Sequence, residues 1–202
     1  TLQDGRMIFN GAIFKSEYDD KQESILIPVN LANVATVVRN AASMEMTGFE
    51  LELMYQITQA WDLMVNYGYL EAEYKDYLAD LNGDNVITDN SGLIPRNTPE
   101  NTFGITTSYT TQIGDGELKG RVSYRFRDEM NSDSSNNPLG DLDSIENVNA
   151  TISYSLENYS VSVWGRNLTD EREQRWATIG GLTSRGWWNE PATLGITFSA
   201  SY

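Results

Sequence analysis

The sequence contains no cysteine and no histidine. That double absence excludes a thiolate nucleophile, a Ser-His-Asp triad, zinc held by imidazole or thiolate, and a His-ligated haem, so most familiar catalytic centres are ruled out at once. It also excludes disulfides, which suits a chain crossing an oxidising compartment, where thiols risk mispairing. Positive charge is scarce too: 14 Lys and Arg stand against 29 Asp and Glu, for a formal net charge of -15. A surface of that sign repels a phosphate backbone, and no nucleic-acid partner is expected. No run approaches the roughly 18 apolar residues of a membrane-spanning helix, and the mean hydropathy is -0.45. A transmembrane β-barrel survives that test, because its strands alternate lipid-facing and lumen-facing residues and keep the average low. What is present, 40% hydrophobic and 11% aromatic residues in 202, is too rich for a disordered polymer.

The decisive pattern is a period of two. Phe49, Leu51, Leu53, Tyr55 and Ile57 alternate with Glu50, Glu52, Met54 and Gln56, and after a short link Leu63, Val65, Tyr67 and Tyr69 alternate with Asp62, Met64, Asn66 and Gly68. That is a hairpin with one dry face. A second joins Phe103, Ile105 and Tyr109 to Val122, Tyr124 and Phe126 across Gly114-Asp115-Gly116, and a third joins Val148, Ala150, Ile152 and Tyr154 to Val161 and Val163 across Glu157-Asn158. The chain ends on Leu194, Ile196, Phe198, Ala200 and Tyr202 against Gly195, Thr197, Ser199 and Ser201. A first strand is expected around Arg6 to Tyr18, with its apolar face undecided, since Met7, Phe9 and Ile13 compete with Ile8, Ala12 and Phe14.

About eight strands are expected, and in the seven clear ones the apolar parity carries no charge over the roughly nine to eleven positions that cross hydrocarbon. The opposite parity is mostly Ser, Thr, Asn and Gly, where a soluble sandwich would carry Lys and Glu. The links at Thr58 to Trp61, Gln112 to Glu117 and Leu156 to Tyr159 are tight. Those near Asp19 to Ala42, Lys75 to Glu100, Asp128 to Ser144 and Asp170 to Pro191 read as long structureless loops. Short-long alternation is the habit of outer-membrane barrels, with short periplasmic turns and long extracellular loops; it puts Tyr202 at the inner membrane-water interface. The opening Thr1-Leu2-Gln3-Asp4-Gly5 has no export-signal pattern, so the expectation is a soluble chain or one whose leader lies upstream.

Gly165-Arg166-Asn167-Leu168-Thr169-Asp170-Glu171, followed by a long loop and a closing strand with a terminal aromatic, resembles the carboxy-terminal end of TonB-dependent outer-membrane receptors. "NAASMEMTGFELE" from Asn40 and "PRNTPENTFG" from Pro95 resemble strand-entry segments of the same family. The resemblance implies an all-β fold, an antiparallel transmembrane β-barrel of which residues 1-202 supply about eight strands of a larger, roughly 22-stranded barrel. Family members carry an amino-terminal plug domain and a short box that grips TonB, and neither is visible here. The implied function is active uptake of a scarce nutrient, ferric siderophores leading, with outer-membrane lipid, plug, TonB and the nutrient ligand as partners. No catalysis is implied.

Two clusters are candidate ligand contacts. Lys119, Arg121, Arg125 and Arg127 share one parity of one strand and Arg166 faces inward later: a lumen stripe guiding an anionic ligand, or salt-bridge partners of an acidic plug or of Glu50 and Glu52. Trp176, Trp187 and Trp188, with Arg172, Arg175 and Arg185, lie in the last long connection and suit planar or anionic ligands, or a headgroup girdle. Asp80, Asn82 and Asp84 take the first, third and fifth positions of a calcium-type loop, a possible weak Ca2+ site, but Asn85 stands where Gly makes the turn and Ser91 where a bidentate carboxylate should close it. An Asn-Gly turn is the plainer reading. The glycosylation tripeptides at Asn149, Asn158 and Asn167 carry no meaning in a bacterial envelope. Two other functions fit parts of the pattern: a complete eight-stranded barrel serving as anchor or adhesin, and a secreted acidic calcium-binding β-domain supported only by the Asp80 loop.

Overall fold

The computed structural model describes residues 5–30, 33–82, 84, 86–172, 174–180 and 183–201. β1 (Met7–Asn30), β2 (Asn33–Thr58) and β3 (Trp61–Ala79) are followed by the two-residue β4 (Thr88–Asp89), which pairs back onto β3. β5 (Asn101–Ile113) and β6 (Gly116–Arg127) form the next hairpin. β7 (Met130–Asn131) and β8 (Asp141–Leu142) make a small ladder beside a 3-10 turn at Pro138–Gly140. Then come β9 (Ile145–Leu156) and β10 (Tyr159–Arg166), a separate ribbon of β11 (Gln174–Gly180) and β12 (Thr183–Trp188), and finally β13 (Thr193–Ala200). The main sheet runs β1-β2-β3-β5-β6-β9-β10-β13, antiparallel throughout. Among the described residues no ladder joins β1 to β13.

The register turns the sequence pattern into two surfaces, because directly opposed residues of antiparallel strands share a face. Phe9 pairs with Leu53, Leu53 with Val65, Val65 with Ile105, Ile105 with Tyr124 and Tyr124 with Val148. Ile152 pairs with Val163 and Val163 with Ile196. One apolar band therefore crosses all eight strands. Its side chains are half-buried among their own neighbours at Leu53, Val65 and Ile105 and open toward the ends of the sheet, where Ile13 is 88% exposed and Ile196 75%. The ambiguity of the first strand is resolved, since Phe9 and Ile13 join the band while Ile8, Ala12 and Phe14 lie opposite. Phe14 sits there over Gly48, where a Cβ would collide with its ring.

Aromatic rows mark both borders of the band. Trp61 pairs with Tyr109, and Tyr159 stacks near Phe198, toward the short-turn end. Phe49 packs between Tyr67 and Tyr69, and Phe103 beside Tyr124, toward the other. From Trp61 to Tyr69 the strand advances about 27 Å, which for a tilted strand matches a hydrocarbon layer. Charge resumes just past that upper row, where Lys15 bridges Glu45 at 2.9 Å and Glu17 at 3.2 Å. The short turns are two residues long, and Gly114 (φ 61°) supplies the positive φ that the second requires.

The long connections differ from the expected loops. The span read as a loop from Asp19 to Ala42 is a continuation of the β1–β2 hairpin, and the last connection carries the β11–β12 ribbon. Beyond the membrane border neither face has to be dry, so the apolar alternation stops while the backbone pairing continues. A bulge between Tyr18 and Lys21, with Asp20 at φ 53°, also shifts the side-chain parity there. This extension supports a small core on the polar side: Ala42, Met44, Tyr74, Tyr77 and Ala79, with Leu81 and Leu93 packed on it. Tyr74 and Tyr77 have ring centres 4.6 Å apart. Glu23, 0% exposed, accepts from the Tyr74 hydroxyl at 2.9 Å, pairs with Lys21, and lies 3.3 Å from Arg96 Nε. Burial, reinforced by that carboxylate, holds the Tyr74 hydroxyl well above its usual titration range.

Two outcomes are expected. In the full-length barrel, Leu53→Arg or Ile105→Arg should cost about 2–4 kcal/mol in refolding titrations, whereas Met54→Arg or Thr106→Arg on the opposite parity should be mild. Equal losses on both parities would contradict the assignment of the band to lipid. Separately, Glu23→Ala removes the anion shared by two cations. Because those cations are partly solvated, local opening should become easier by about 2–3 kcal/mol, less than the roughly 3–5 of a fully buried pair. Hydrogen exchange at Tyr74 to Ala79 reads this directly, and unchanged exchange would mean the cluster bears no weight.

Candidate functional site

The polar face of the sheet is divided by charge. On the β2–β3 side it presents Glu50, Glu52, Asn66 and Gly68, with Asn10 Nδ2 donating to Glu52 Oε2 at 3.0 Å, around a depression of about 350 Å3. On the β6–β10 side it presents cations. Arg121 and Arg125 stand exposed on β6, opposite Ser108 and Gly104 of β5 and Thr151 and Asn147 of β9. Arg127, half-buried at the strand end, donates from Nη2 to the Asp143 carbonyl at 3.1 Å. Arg166 ends β10 on the same face. Among the described residues neither Arg121, Arg125 nor Arg166 has a carboxylate within ion-pair distance, so Glu50 and Glu52, three strand spacings or more away, do not pair with them here.

The last connection is organised rather than loose. In the β11–β12 ribbon Trp176 pairs with Trp187, Gln174 with Trp188, and Thr178 with Arg185. Trp187 and Trp188 are 71% and 60% exposed. The side chains of Arg175, Trp176 and Arg185 lie outside the described residues, as does Tyr202. The ribbon is held at its root by Asn167, buried and at φ 49°. Its Oδ1 accepts from Asn147 Nδ2 (3.1 Å), Thr169 Oγ1 (3.2 Å) and the Glu171 amide (3.2 Å). Its Nδ2 donates to the Glu171 and Glu190 carbonyls, both at 3.0 Å, and its backbone amide donates to Asn149 Oδ1 at 2.9 Å. Asp170 Oδ1 takes the Ala192 amide at 2.9 Å. The Asn-Leu-Thr-Asp-Glu run is thus a clasp tying the exit of β10 to the entry of β13, a role whose partners at 147, 149 and 190 the linear sequence does not reveal.

At the Asp80 loop, Asp84 Oδ1 accepts from the Val86 amide at 2.7 Å and Asp84 Oδ2 from Asn82 Nδ2 at 3.0 Å. Gly83 and Asn85 lie outside the described residues. A cation ligated by Asp80, Asn82 and Asp84 would have to share oxygens already engaged in turn hydrogen bonds. The neighbouring long connections are stitched together, with Ile94 and Asn136 exchanging bonds of 2.7 and 2.8 Å and Asn97 donating to the Asn131 carbonyl at 2.8 Å.

An antiparallel meander with a lipid-exposed apolar band, aromatic borders, a polar opposite face, short turns at one end and structured connections at the other defines a segment of an outer-membrane β-barrel. The family model described as TonB dependent receptor-like, beta-barrel, matches residues 1–168, and the chain belongs to that family. It is therefore part of a bacterial outer-membrane receptor barrel. Solved structures agree on the fold. The ferric yersiniabactin uptake receptor FyuA of Yersinia pestis superposes with a TM-score of 0.79 at 17% identity, over 99% of this chain and 28% of that one. The ferric-catecholate import receptor Fiu of E. coli K12 gives 0.70 at 18%, over 98% and 26%. The siderophore receptor PiuA of Acinetobacter baumannii gives 0.70 at 21%, over 98% and 26%. The chain spans about a quarter of the length of these receptors.

Replacing Asn167 with Ala should loosen the clasp by about 1–3 kcal/mol, because it strands carbonyls and an amide that the side chain now serves. In the full-length receptor the expected sign is faster proteolysis between residues 170 and 192 with the barrel still assembled. Cleavage at the wild-type rate would show that the bonds are dispensable.

Proposed function

We propose that this chain forms the carboxy-terminal strands and connections of an active uptake receptor for an anionic ferric siderophore, energised through TonB acting on a plug domain. The observation that carries the reading is the placement of charge. In a chain of net charge -15, Arg121, Arg125 and Arg166 stand together on the polar wall without acidic partners among the described residues, and Trp187 and Trp188 stand exposed on the ribbon above it. Cations held on a concave wall attract an anionic cargo, and exposed indoles offer faces for planar or cationic groups. Arg127, Trp176 and Arg185 belong to the same two clusters by strand position. The similarity to a ferric yersiniabactin uptake receptor and a ferric-catecholate import receptor supports the substrate class. The uptake reading takes precedence over a free-standing anchor and over a soluble calcium domain, because the family match covers most of the chain. A calcium ion at Asp80, Asn82 and Asp84 would staple one outer connection and would take no part in uptake.

The test is iron uptake by cells carrying the full-length receptor. Radiolabelled ferric siderophore should enter under iron limitation only with both receptor and TonB present. Arg121→Gln combined with Arg125→Gln should lower affinity about tenfold, roughly 1.4 kcal/mol. Deleting residues 182–189 should weaken capture several-fold while the barrel still assembles. Unchanged affinity in both variants would move the ligand contacts off this chain, and TonB-independent entry would refute the energised mechanism.

A further inference from the structure

Trp164 stands on the polar side of β10, whose neighbours β9 and β13 present Asn, Thr, Ser and Gly on that side. A large aromatic in such a position needs a reason. Three contacts hold it flat against the wall. Its Nε1 donates to Thr197 Oγ1 at 3.0 Å, its ring covers Gly195 so closely that a Cβ there would collide with it, and the Arg166 guanidinium carbon lies 5.0 Å from the ring centre. The indole thus serves as a base on which the guanidinium rests, within the range of a cation–π contact. The ring contact uses no N–H donor, and among the described residues the Arg166 guanidinium makes no hydrogen bond or ion pair, so its N–H groups are available.

The surroundings complete a recess. The depression of about 470 Å3 beside Arg166 is lined also by Asn149 and Thr151 of β9. By register, Thr151 lies beside Arg121, Asn149 beside Ser123, and Asn147 beside Arg125. Arg166 follows Gly165, which pairs with Ala150, so it stands at the level of Asn149, between the rows of Arg121 and Arg125. Those two arginines are two strand spacings away, roughly 10 Å. Asn149 is fixed by its own bonds to Asn147 and Asn167. The cation is therefore held against the Trp164 ring beside a polar shelf.

We propose that Trp164 and Arg166 form a wall subsite for a bidentate oxyanion, a carboxylate or catecholate arm of the cargo, with Arg166 donating two parallel N–H bonds and Trp164 acting as its positioning residue. The proposal rests on reading this face as the wall of an uptake lumen. It adds a fixed contact inside the wall, below the outer ribbon, that an anionic arm meets after capture. An arginine fork suits such a group where a lysine of equal charge does not.

The probe is 2,3-dihydroxybenzoate, titrated calorimetrically into the purified full-length receptor. Saturable binding is expected. Arg166→Gln should weaken it at least tenfold, and Arg166→Lys nearly as much, because charge without the fork is insufficient. Trp164→Phe, which keeps a ring but loses the Thr197 bond, should weaken it about threefold. Heat-modifiable migration confirms that each variant is assembled. Absence of saturable binding to the wild type, wild-type affinity in Arg166→Gln, or full retention in Arg166→Lys would each overturn the subsite. TonB-dependent iron uptake in the same cells separates the two failures: uptake that persists with no dihydroxybenzoate binding sinks the subsite alone, and loss of uptake by the wild type sinks the transport reading.

Discussion

Backbone amides and carbonyls cannot go unpaired in hydrocarbon, and every other feature of this chain follows from that constraint. Each strand of the sheet must lie in register with its neighbours, so side chains lose the freedom to choose a face. Once Leu53 faces lipid, Val65 and Ile105 face it too, and Glu52, Asn66 and Gly104 are committed to the other side. The polar wall is the complement of the lipid-facing band and could not exist without it. Functional groups then reach the wall at every second position of a rigid ladder, which is why Arg121, Thr151, Trp164 and Gly195 stand in one row across four strands.

Where the constraint lapses, the chain behaves differently. Past Lys15 and Glu45 the β1–β2 hairpin continues into water, bulges at Asp20, and exchanges its single dry face for a small enclosed core around Tyr74 and Tyr77. Buried charge is tolerated there because two cations neutralise Glu23 and the Tyr74 hydroxyl donates to its Oε1, while its Oε2 faces Arg96 without accepting a hydrogen bond. The other long connections are likewise fixed by specific polar contacts: Asn136 with Ile94, Asn101 with Asp128 at 2.7 Å, and Asn167 with both ends of the last excursion. A connection built this way holds its shape without a hydrophobic layer beneath it.

The same division explains which parts were legible in the sequence. Strands facing lipid announce themselves, since one wrong-parity charge would be costly, and the strands between Phe49 and Ala200 that face lipid could be placed from alternation alone. The first strand's face could not, because Phe14 lies on the polar side to cover Gly48 and breaks the alternation for a packing reason. The outer half of β1 and β2 gave no signal, since its residues obey pairing but no solvent asymmetry. Arg121, Arg125 and Arg166 were visible as cations on one parity. Trp164 could have been found the same way, as an aromatic among Ser162 and Arg166 on the wet side, but its use depends on Thr197 and Gly195, more than thirty residues further along. The Asn167 clasp was visible as a motif and opaque as chemistry for the same reason.

The remaining question is how a strongly acidic chain could welcome an anion at all. The net charge of -15 is a global sum, whereas at physiological ionic strength a charge is felt over about 8 Å. A cargo on the β6–β10 wall therefore responds to the arginines beside it, and the acidic residues of the outer connections, farther away and in water, are largely screened from it. Glu50 and Glu52 lie on the same wall but three strand spacings from β6, roughly 14 Å, beyond that range. Placing these two glutamates three strands from the arginines lets one surface hold both without mutual neutralisation, and Glu117, on the same face of β6, stands four residues from Arg121 toward the short-turn end. Had Glu50 or Glu52 stood on β9, ion pairs would have consumed the arginines; placed on β2, they leave the cations available to whatever enters.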